Sequence, residues 1–231
     1  MGIHCRRLWL VALLAVGVMA AICIRCRRET LTAEVAGSLI SLPAPTTVGT
    51  MSLEEAIAKR RSNRDLSGQA LSREQISQLA WSAQGITDSE RLLRTAPSAG
   101  ALYPLELYLV TAEGIFHYLP LEHGLFPVTT GDMRSRLSEA ARGQATVAQA
   151  ALDVVIAAVY ERTKNRYGDR GERYVHLEAG HAAQNLLLQA TSLGLGAVPM
   201  GSFDDGRVAS VLSLPEDCTP LYIIPIGHPA D

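Results

Sequence analysis

The sequence predicts an α+β domain over residues 50–231, because helical and strand-like segments are mixed along the chain. The longest helical pattern covers residues 172–193, where apolar and small residues recur at helical spacing. A nearly continuous apolar run at residues 152–160 has the composition of a strand that is buried on both faces. In the middle of the chain, residues 105–110 and 115–119 have the pattern of a hairpin.

Local signals predict the remaining elements. Ser52 and Glu55 have the spacing of a capping box, which begins a short helix that ends near Arg60. Ser72 and Gln75 form a second such box, which begins another helix. The other predicted elements are a loop at 91–96, strands at 125–128, 195–199 and 221–226, and helices at 132–142 and 204–212.

The N-terminus differs from the rest of the chain. Residues 1–28 form an apolar membrane segment with arginine flanks, since 17 residues without charge run from Leu8 to Ile24. Residues 29–49 contain proline and threonine and are predicted to be a linker to the domain at 50–231. We expect a single uncleaved membrane helix, with the side of the membrane left open. The alternative is a signal peptide that is cleaved from an exported protein.

Charge and cysteine usage exclude several classes of protein. Residues 1–28 hold five arginines and no acidic residue, which leaves 16 basic and 23 acidic residues, or a formal charge of −7, in the remainder. An acidic body without a basic stripe argues against nucleic-acid binding. Three of the four cysteines lie in or beside the apolar segment and Cys218 stands alone, so no disulfide framework is expected.

The stretch Arg60-Arg61-Ser62-Asn63-Arg64 places three guanidinium groups and a hydroxyl within five residues. Because guanidinium groups suit phosphate, this stretch is a candidate phosphate site. The chain has neither a Walker loop nor a Gly-x-Gly-x-x-Gly opening a helix, so side chains would have to hold a phosphate. The alternative is a solvated helix end whose arginines favour the C-terminal dipole.

Two other patterns bear on chemistry. The stretch 96–104, Ala-Pro-Ser-Ala-Gly-Ala-Leu-Tyr-Pro, has small residues that let backbone approach a flat ligand, and alternatively is a tight loop before a strand. His176, Glu178 and His181 do not match the spacing of a zinc protease or of a di-iron helix. We therefore predict no metal site and expect a histidine that forms a hydrogen bond in an interface.

Four stretches resemble the nitroreductase-like flavin oxidoreductases in order and spacing. They are residues 60–64, residues 96–104, Glu-Ala-Gly-His-Ala-Ala-Gln-Asn at 178–185, and Gly-Leu-Gly-Ala-Val-Pro-Met-Gly at 194–201. The forms Pro-Ser-Ala-Gly-x-x-Tyr-Pro and Glu-Ala-Gly-His-x-x-Gln-Asn are similar to the SagB/ThcOx-type branch, which includes peptide azoline dehydrogenases. The resemblance covers about residues 50–228. It implies an FMN-binding fold with a central mixed sheet flanked by helices, usually an intertwined homodimer.

The resemblance also implies roles for individual residues. Arg60, Arg61 and Ser62 would hold the phosphate and the ribityl chain. Arg64 would lie near N1 and O2 of the ring, where a cation stabilises the negative charge of reduction. The backbone N–H of Gly201 would lie near N5, the hydride-accepting atom. The other implied ring contacts are Pro97, Ser98, Gly100, Pro199 and Met200. The helix at 172–193 would pack at the dimer interface, where the flavin is bound.

Two departures from the family pattern affect these expectations. Many relatives carry a basic residue after the last strand that reaches the phosphate, and here His228 is the available substitute. Azoline dehydrogenases resemble one another in an adjacent Lys-Tyr pair that serves as base. This chain offers Lys164, Tyr167 and Tyr174 as weak candidates but no such pair, so we assign no substrate base.

The expected activity is an FMN-dependent oxidoreductase that transfers hydride or electron pairs between a donor, such as NAD(P)H, and an unidentified acceptor. One alternative is a peptide azoline (thiazoline or oxazoline) dehydrogenase, which would need a partner cyclase and a peptide substrate. A second alternative is a non-catalytic flavin-binding or scaffold domain.

Overall fold

A seven-stranded sheet forms the centre of the part of the chain that the computed structural model describes, residues 37–230. Its strands follow the order β1-β6-β5-β4-β7-β9-β8, and β2 and β3 form a separate small hairpin. The strands are β1 Ile40–Ser41, β2 Ile86–Asp88, β3 Leu93–Arg94, β4 Leu105–Val110, β5 Gly114–Leu119, β6 Gly124–Thr130, β7 Leu152–Val159, β8 Gly196–Ala197 and β9 Cys218–Gly227. The predicted apolar segment, residues 1–28, lies outside the described residues.

Helices cover both faces of this sheet. They are α1 Leu53–Lys59, α2 Arg73–Gln84, α3 Arg134–Ala140, α4 Ala145–Gln149, α5 Glu161–Tyr167, α6 Arg170–Ser192 and α7 Asp205–Leu212. A 3-10 turn at Ala99–Ala101 precedes β4. No helix within residues 37–230 is long and apolar enough to cross a membrane. The α+β class predicted from the sequence is confirmed.

Strand β7 separates two hydrophobic cores, as its continuous apolar run predicts. Val154 and Ile156 face the core formed with α2 and α6, whereas Val155 and Ala157 face the core formed with α3, α4 and α7. Successive side chains of a strand point to opposite faces, so β7, whose one polar residue is the buried Asp153, has to be covered on both sides. The neighbouring strands β4 and β9 likewise contribute side chains to both cores.

The strand pairs are all antiparallel within the described residues. We expected a sheet with both parallel and antiparallel strands. Among the described residues the parallel pairing is confined to one isolated bridge, between Ser62 and Ala197. That bridge brings the arginine stretch to the β8 edge of the sheet.

Two local predictions need correction. Ser52 Oγ accepts a hydrogen bond from the Glu55 N–H at 3.1 Å, but the Glu55 carboxylate pairs with Lys59 at 2.6 Å instead of completing a capping box. Residues 91–96 are not all loop, because Leu93–Arg94 pairs with β2. The Arg94 guanidinium donates to Gln84 Oε1 at 2.8 Å, which holds this short strand against α2.

The second half of the predicted linker lies against the domain. Strand β1 pairs with β6, and the Thr46 N–H donates to Gln78 Oε1 at 2.8 Å. The His123 ring bonds Tyr118 Oη at 2.9 Å and, through its other nitrogen, the Pro43 carbonyl at 2.9 Å. These contacts attach residues 40–46 to the sheet.

Candidate functional site

The arginine stretch leaves α1 and runs as extended chain beside β8. Arg60 ends the helix, since its N–H donates to the Ala56 carbonyl at 2.9 Å. Three residues on, the Asn63 N–H donates to the Ala197 carbonyl at 3.0 Å. A Cβ at Gly196 would lie 2.8 Å from Leu66 and 3.0 Å from the Asn63 side chain, so a larger residue at that position would displace these side chains.

The three guanidinium groups of this stretch have no carboxylate partner among the described salt bridges. Arg61 and Arg64 are exposed and Arg60 is half-buried. Arg61 Nη1 donates to the carbonyls of Ala58 and Arg60, both at 2.8 Å, as expected for an arginine that caps a helix end. The solvated-helix-end alternative therefore applies to Arg61, while Arg60 and Arg64 leave uncompensated positive charge that an anion would stabilise.

Within residues 198–201, which directly follow β8, one backbone N–H is free. Met200 is 6% exposed, its side chain packs in the core, and its N–H and carbonyl both pair with Ile223. Pro199 has no N–H to donate. Gly201 is exposed, a Cβ at this residue would meet nothing within 4 Å, and its N–H makes no hydrogen bond within residues 37–230. Gly201 is therefore the position in this stretch that a flat ligand can approach.

The C-terminal strand ends beside the arginine stretch. The Ser67 N–H donates to the His228 carbonyl at 2.8 Å, and Pro229 bridges to Leu66. His228, the available substitute for the basic residue of relatives, thus lies along the chain that continues from Arg64.

The loop at 96–104 is held in an unusual conformation. Gly100 has φ 64°, and two non-glycine residues, Ala101 with φ 53° and Tyr103 with φ 46°, also lie in the left-handed region. Such residues cost about 1 kcal/mol or more each. Ser98 Oγ accepts from the Tyr103 N–H at 2.9 Å, and the Arg94 guanidinium lies 4.6 Å from the Tyr103 ring centroid. These contacts fix the loop shape.

A buried carboxyl lies behind this loop. Glu178 of α6 is 2% exposed, and its Oε1 has no hydrogen-bond partner. Burial raises the pKa of Glu178 to about 7, while the Ser98 hydroxyl and the Arg94 charge act in the opposite direction. In the sequence, Glu178 stands out as a possible metal ligand and as the first residue of the motif at 178–185, but neither pattern predicts that it is buried whereas Glu172 of the same helix is exposed.

Of the three weak base candidates, only Tyr167 reaches the loop. A Cβ at Gly100 would lie 2.8 Å from the Tyr167 hydroxyl and 2.8 Å from Arg166 Nη1. Lys164 instead pairs with Glu161 at 3.2 Å. Tyr174 packs edge to face on Tyr167, with ring centroids 5.1 Å apart. No sequence signal identified Arg166.

The histidines of α6 do not converge with Glu178. His176 Nε2 is bonded to Tyr160 Oη at 2.6 Å, and both His176 and His181 are exposed whereas Glu178 is buried. Within residues 37–230 no three His, Cys, Asp or Glu side chains form a cluster that could hold a metal ion.

The predicted site residues fall into two separate groups. The arginine stretch lies beside Gly196–Ala197, and the loop at 96–104 lies against α5 and α6. No hydrogen bond or salt bridge of the described chain joins the first group to the second. The fold and the first group define an α+β protein with a cluster of arginines at the β8 edge of its sheet.

Comparison with known proteins identifies the family. The model of the nitroreductase family matches residues 57–228. A Methanocaldococcus jannaschii protein named as a nitroreductase is 42% identical over 182 residues, which cover 76% of this chain and 90% of that protein. A crystal structure of a Ralstonia eutropha protein assigned as a nitroreductase has a TM-score of 0.76 and 33% identity, covering 84% of this chain and 90% of that one. The chain belongs to the nitroreductase family of oxidoreductases.

A more distant relative bears on the branch within the family. The Microcin B17-processing protein McbC of Escherichia coli is 29% identical over 150 residues. The match covers 60% of this chain and 55% of McbC, so the chain aligns with about half the length of that protein.

Proposed function

We propose that this protein is an FMN-dependent oxidoreductase that moves a hydride or an electron pair from NAD(P)H to an acceptor. The observation that carries the proposal is the arginine stretch without carboxylate partners, which pairs with β8 through Ser62 and Ala197, four residues before the exposed Gly201. Family membership supports it, because the four resembling stretches lie within the matched residues 57–228.

The chain's residues fit FMN in the following roles. Arg60 and Ser62 would hold the phosphate. Arg61 would also bind it after giving up its hydrogen bonds to the carbonyls of Ala58 and Arg60. Arg64 keeps a positive charge beside the part of the ring that becomes negative on reduction. Gly201 offers its N–H where no side chain blocks a flat ring. The bound flavin supplies the hydride-accepting atom.

A homodimer would bring the two groups of site residues together. Leu53 and Ile57 on α1 are 61% and 55% exposed. Between α1, α2 and α6 lies a groove of about 480 Å³ that reaches Thr95, next to the loop at 96–104. Exposed apolar side chains beside a groove are typical of an interface. We propose that a second copy covers this face and that flavin binds between the copies.

Peptide azoline oxidation is the second candidate. The similarity to McbC and the SagB-like motif forms favour it. The adjacent basic and tyrosine residues next to Gly100 are Arg166 and Tyr167 of α5, however, and arginine keeps its proton at all accessible pH values. Without a lysine there, we rank azoline oxidation below reduction of a small acceptor.

For residues 1–28 we propose a single uncleaved membrane helix, supported by the 17 uncharged residues between flanking arginines. Membrane fractionation followed by N-terminal sequencing tests this. A soluble protein that begins beyond residue 28 would instead support signal-peptide cleavage and export.

The double variant Arg60→Ala/Arg64→Ala tests the proposed cofactor site. The full chain, purified in detergent, should carry FMN with an oxidised-flavin absorption spectrum. The double variant should lose at least tenfold in FMN affinity, because each charge-assisted hydrogen bond to phosphate contributes about 1.5–3 kcal/mol. Fluorescence titration with added FMN gives the dissociation constant.

A matched control removes two exposed arginines elsewhere, Arg136→Ala/Arg207→Ala on α3 and α7, and should retain flavin. Equal FMN affinity in both double variants would overturn the cofactor assignment. Flavin that binds but stays oxidised with NADH and NADPH would favour the non-catalytic alternative.

A further inference from the structure

Two hydrogen-bond donors stand over Gly100. A Cβ at that residue would lie 2.8 Å from Arg166 Nη1, 2.8 Å from the Tyr167 hydroxyl and 3.3 Å from Arg166 Cζ. Gly100 leaves room for them because it has no side chain. Arg166 Nη1 and the Tyr167 hydroxyl are both 2.8 Å from this Cβ position, so the two donor atoms are at most twice 2.8 Å apart. One carboxylate or phosphate group can therefore accept from both.

The turn between α5 and α6 holds this pair in place. The chain reverses at Gly168, with φ 57° and ψ −142°. Gly171 then packs so closely on α5 that a Cβ there would lie 2.8 Å from the Lys164 backbone. The Tyr167 ring packs edge to face on Tyr174, and Arg166 Cζ lies 5.4 Å from the Tyr167 centroid. Packing thus orients the half-buried phenol, and cation–π attraction favours the position of the exposed Arg166 guanidinium beside it.

Neither donor has an acceptor within residues 37–230. The Arg166 guanidinium and the Tyr167 hydroxyl take part in none of the described hydrogen bonds or salt bridges between side chains. Arg162, on the same helix, contrasts with them, because it pairs with Glu106 and donates to the Tyr103 carbonyl at 3.1 Å. An unpaired cation with an adjacent hydroxyl donor is a binding arrangement for an oxyanion.

We propose that Arg166 and Tyr167 bind a carboxylate of the acceptor, so that the protein prefers planar acceptors that carry a carboxylate. The inference rests on the proposed function and on the ring contact that the family resemblance implies for Gly100. An acceptor on that ring would lie beneath the two donors, and the planar guanidinium matches a carboxylate in geometry and charge. The phosphate groups of NAD(P)H are the other source of an oxyanion, and the experiment separates the two.

The test compares 4-nitrobenzoate with neutral 4-nitrobenzamide as acceptors for the full-length, FMN-loaded protein. In Arg166→Gln, which loses a hydrogen bond from a charged donor, kcat/KM for 4-nitrobenzoate should fall about tenfold or more. In Tyr167→Phe, which loses a hydrogen bond from a neutral donor, it should fall about threefold. The value for 4-nitrobenzamide should stay within about twofold. The KM for NADPH should not change. Arg170→Gln, an exposed arginine at the start of α6, is the matched control.

A binding measurement provides a readout without turnover. Benzoate should bind the oxidised wild-type protein, and calorimetry should show a dissociation constant at least about tenfold weaker in Arg166→Gln. Equal losses for both acceptors, or unchanged benzoate binding, would overturn the assignment. The assignment would also be overturned if the variants raised the KM for NADPH but left kcat/KM for 4-nitrobenzoate unchanged, because the site would then bind the electron donor. If wild-type protein fails to reduce 4-nitrobenzamide, the proposed function is at fault instead.

Discussion

At the scale of single residues, Glu178 makes the stability of the fold depend on pH. Burial raises the pKa of this carboxyl from 4.5 to about 7. Between these values the unfolded chain has released the proton that the folded chain keeps. The free energy of unfolding therefore falls as pH rises through this window. Above it, the folded state contains a buried carboxylate whose Oε1 has no partner.

We predict that Glu178→Gln removes this dependence. Relative to the wild type, the variant should gain up to about 3 kcal/mol in unfolding free energy between about pH 5 and about pH 8. Urea titrations at several pH values measure it. Glu172→Gln, on the same helix but exposed, should show no such gain. Parallel pH curves for the Glu178 variant and the wild type would contradict the prediction.

At the scale of elements, the two helix starts differ in completeness. Ser72 accepts from the Gln75 N–H at 3.2 Å, and Gln75 Oε1 accepts from the Ser72 N–H at 2.8 Å. At α1 only the Ser52 half of such a box is present. The first arrangement satisfies two backbone donors and the second satisfies one.

Ser72→Ala should therefore lower the unfolding free energy by about 1 kcal/mol, and by more than Ser52→Ala does. The physical reason is that α2 packs on α6 in the core, whereas α1 buries only Ala56. Chemical denaturation of both variants gives the comparison. A larger loss for Ser52→Ala would show that α1 is more firmly coupled to the core than its burial indicates.

At the scale of the whole molecule, the proposed homodimer depends on the exposed face of α1. Ile57→Glu should convert dimer to monomer, because a carboxylate would have to be buried in the interface. It should also lower FMN affinity if flavin binds between the copies. Light scattering coupled to size exclusion measures the mass. Leu121→Glu replaces an apolar side chain that is 65% exposed on the β5–β6 turn, and it should leave the dimer intact. Identical masses for both variants would argue against this interface.

Much of the fold could be predicted from the sequence because its signals are local. The Ser72 cap, the Asp204 cap of α7 and the apolar run of β7 each depend on residues a few positions apart. The strand at residues 93–94 could not be predicted in this way, because Arg94 is held by Gln84 and Tyr103, contacts that short-range patterns do not reveal.

The sequence by itself determined the α+β class, the main helices and strands, and the clustering of Arg60, Arg61 and Arg64. Only the tertiary structure decided that Gly196 lies against Asn63, that Met200 is turned into the core, and that Glu178 is buried. It also placed Arg166 and Tyr167 over Gly100, 66 and 67 positions earlier in the chain. Such contacts depend on how helices and strands pack, whereas caps and periodicity depend only on near neighbours in the chain.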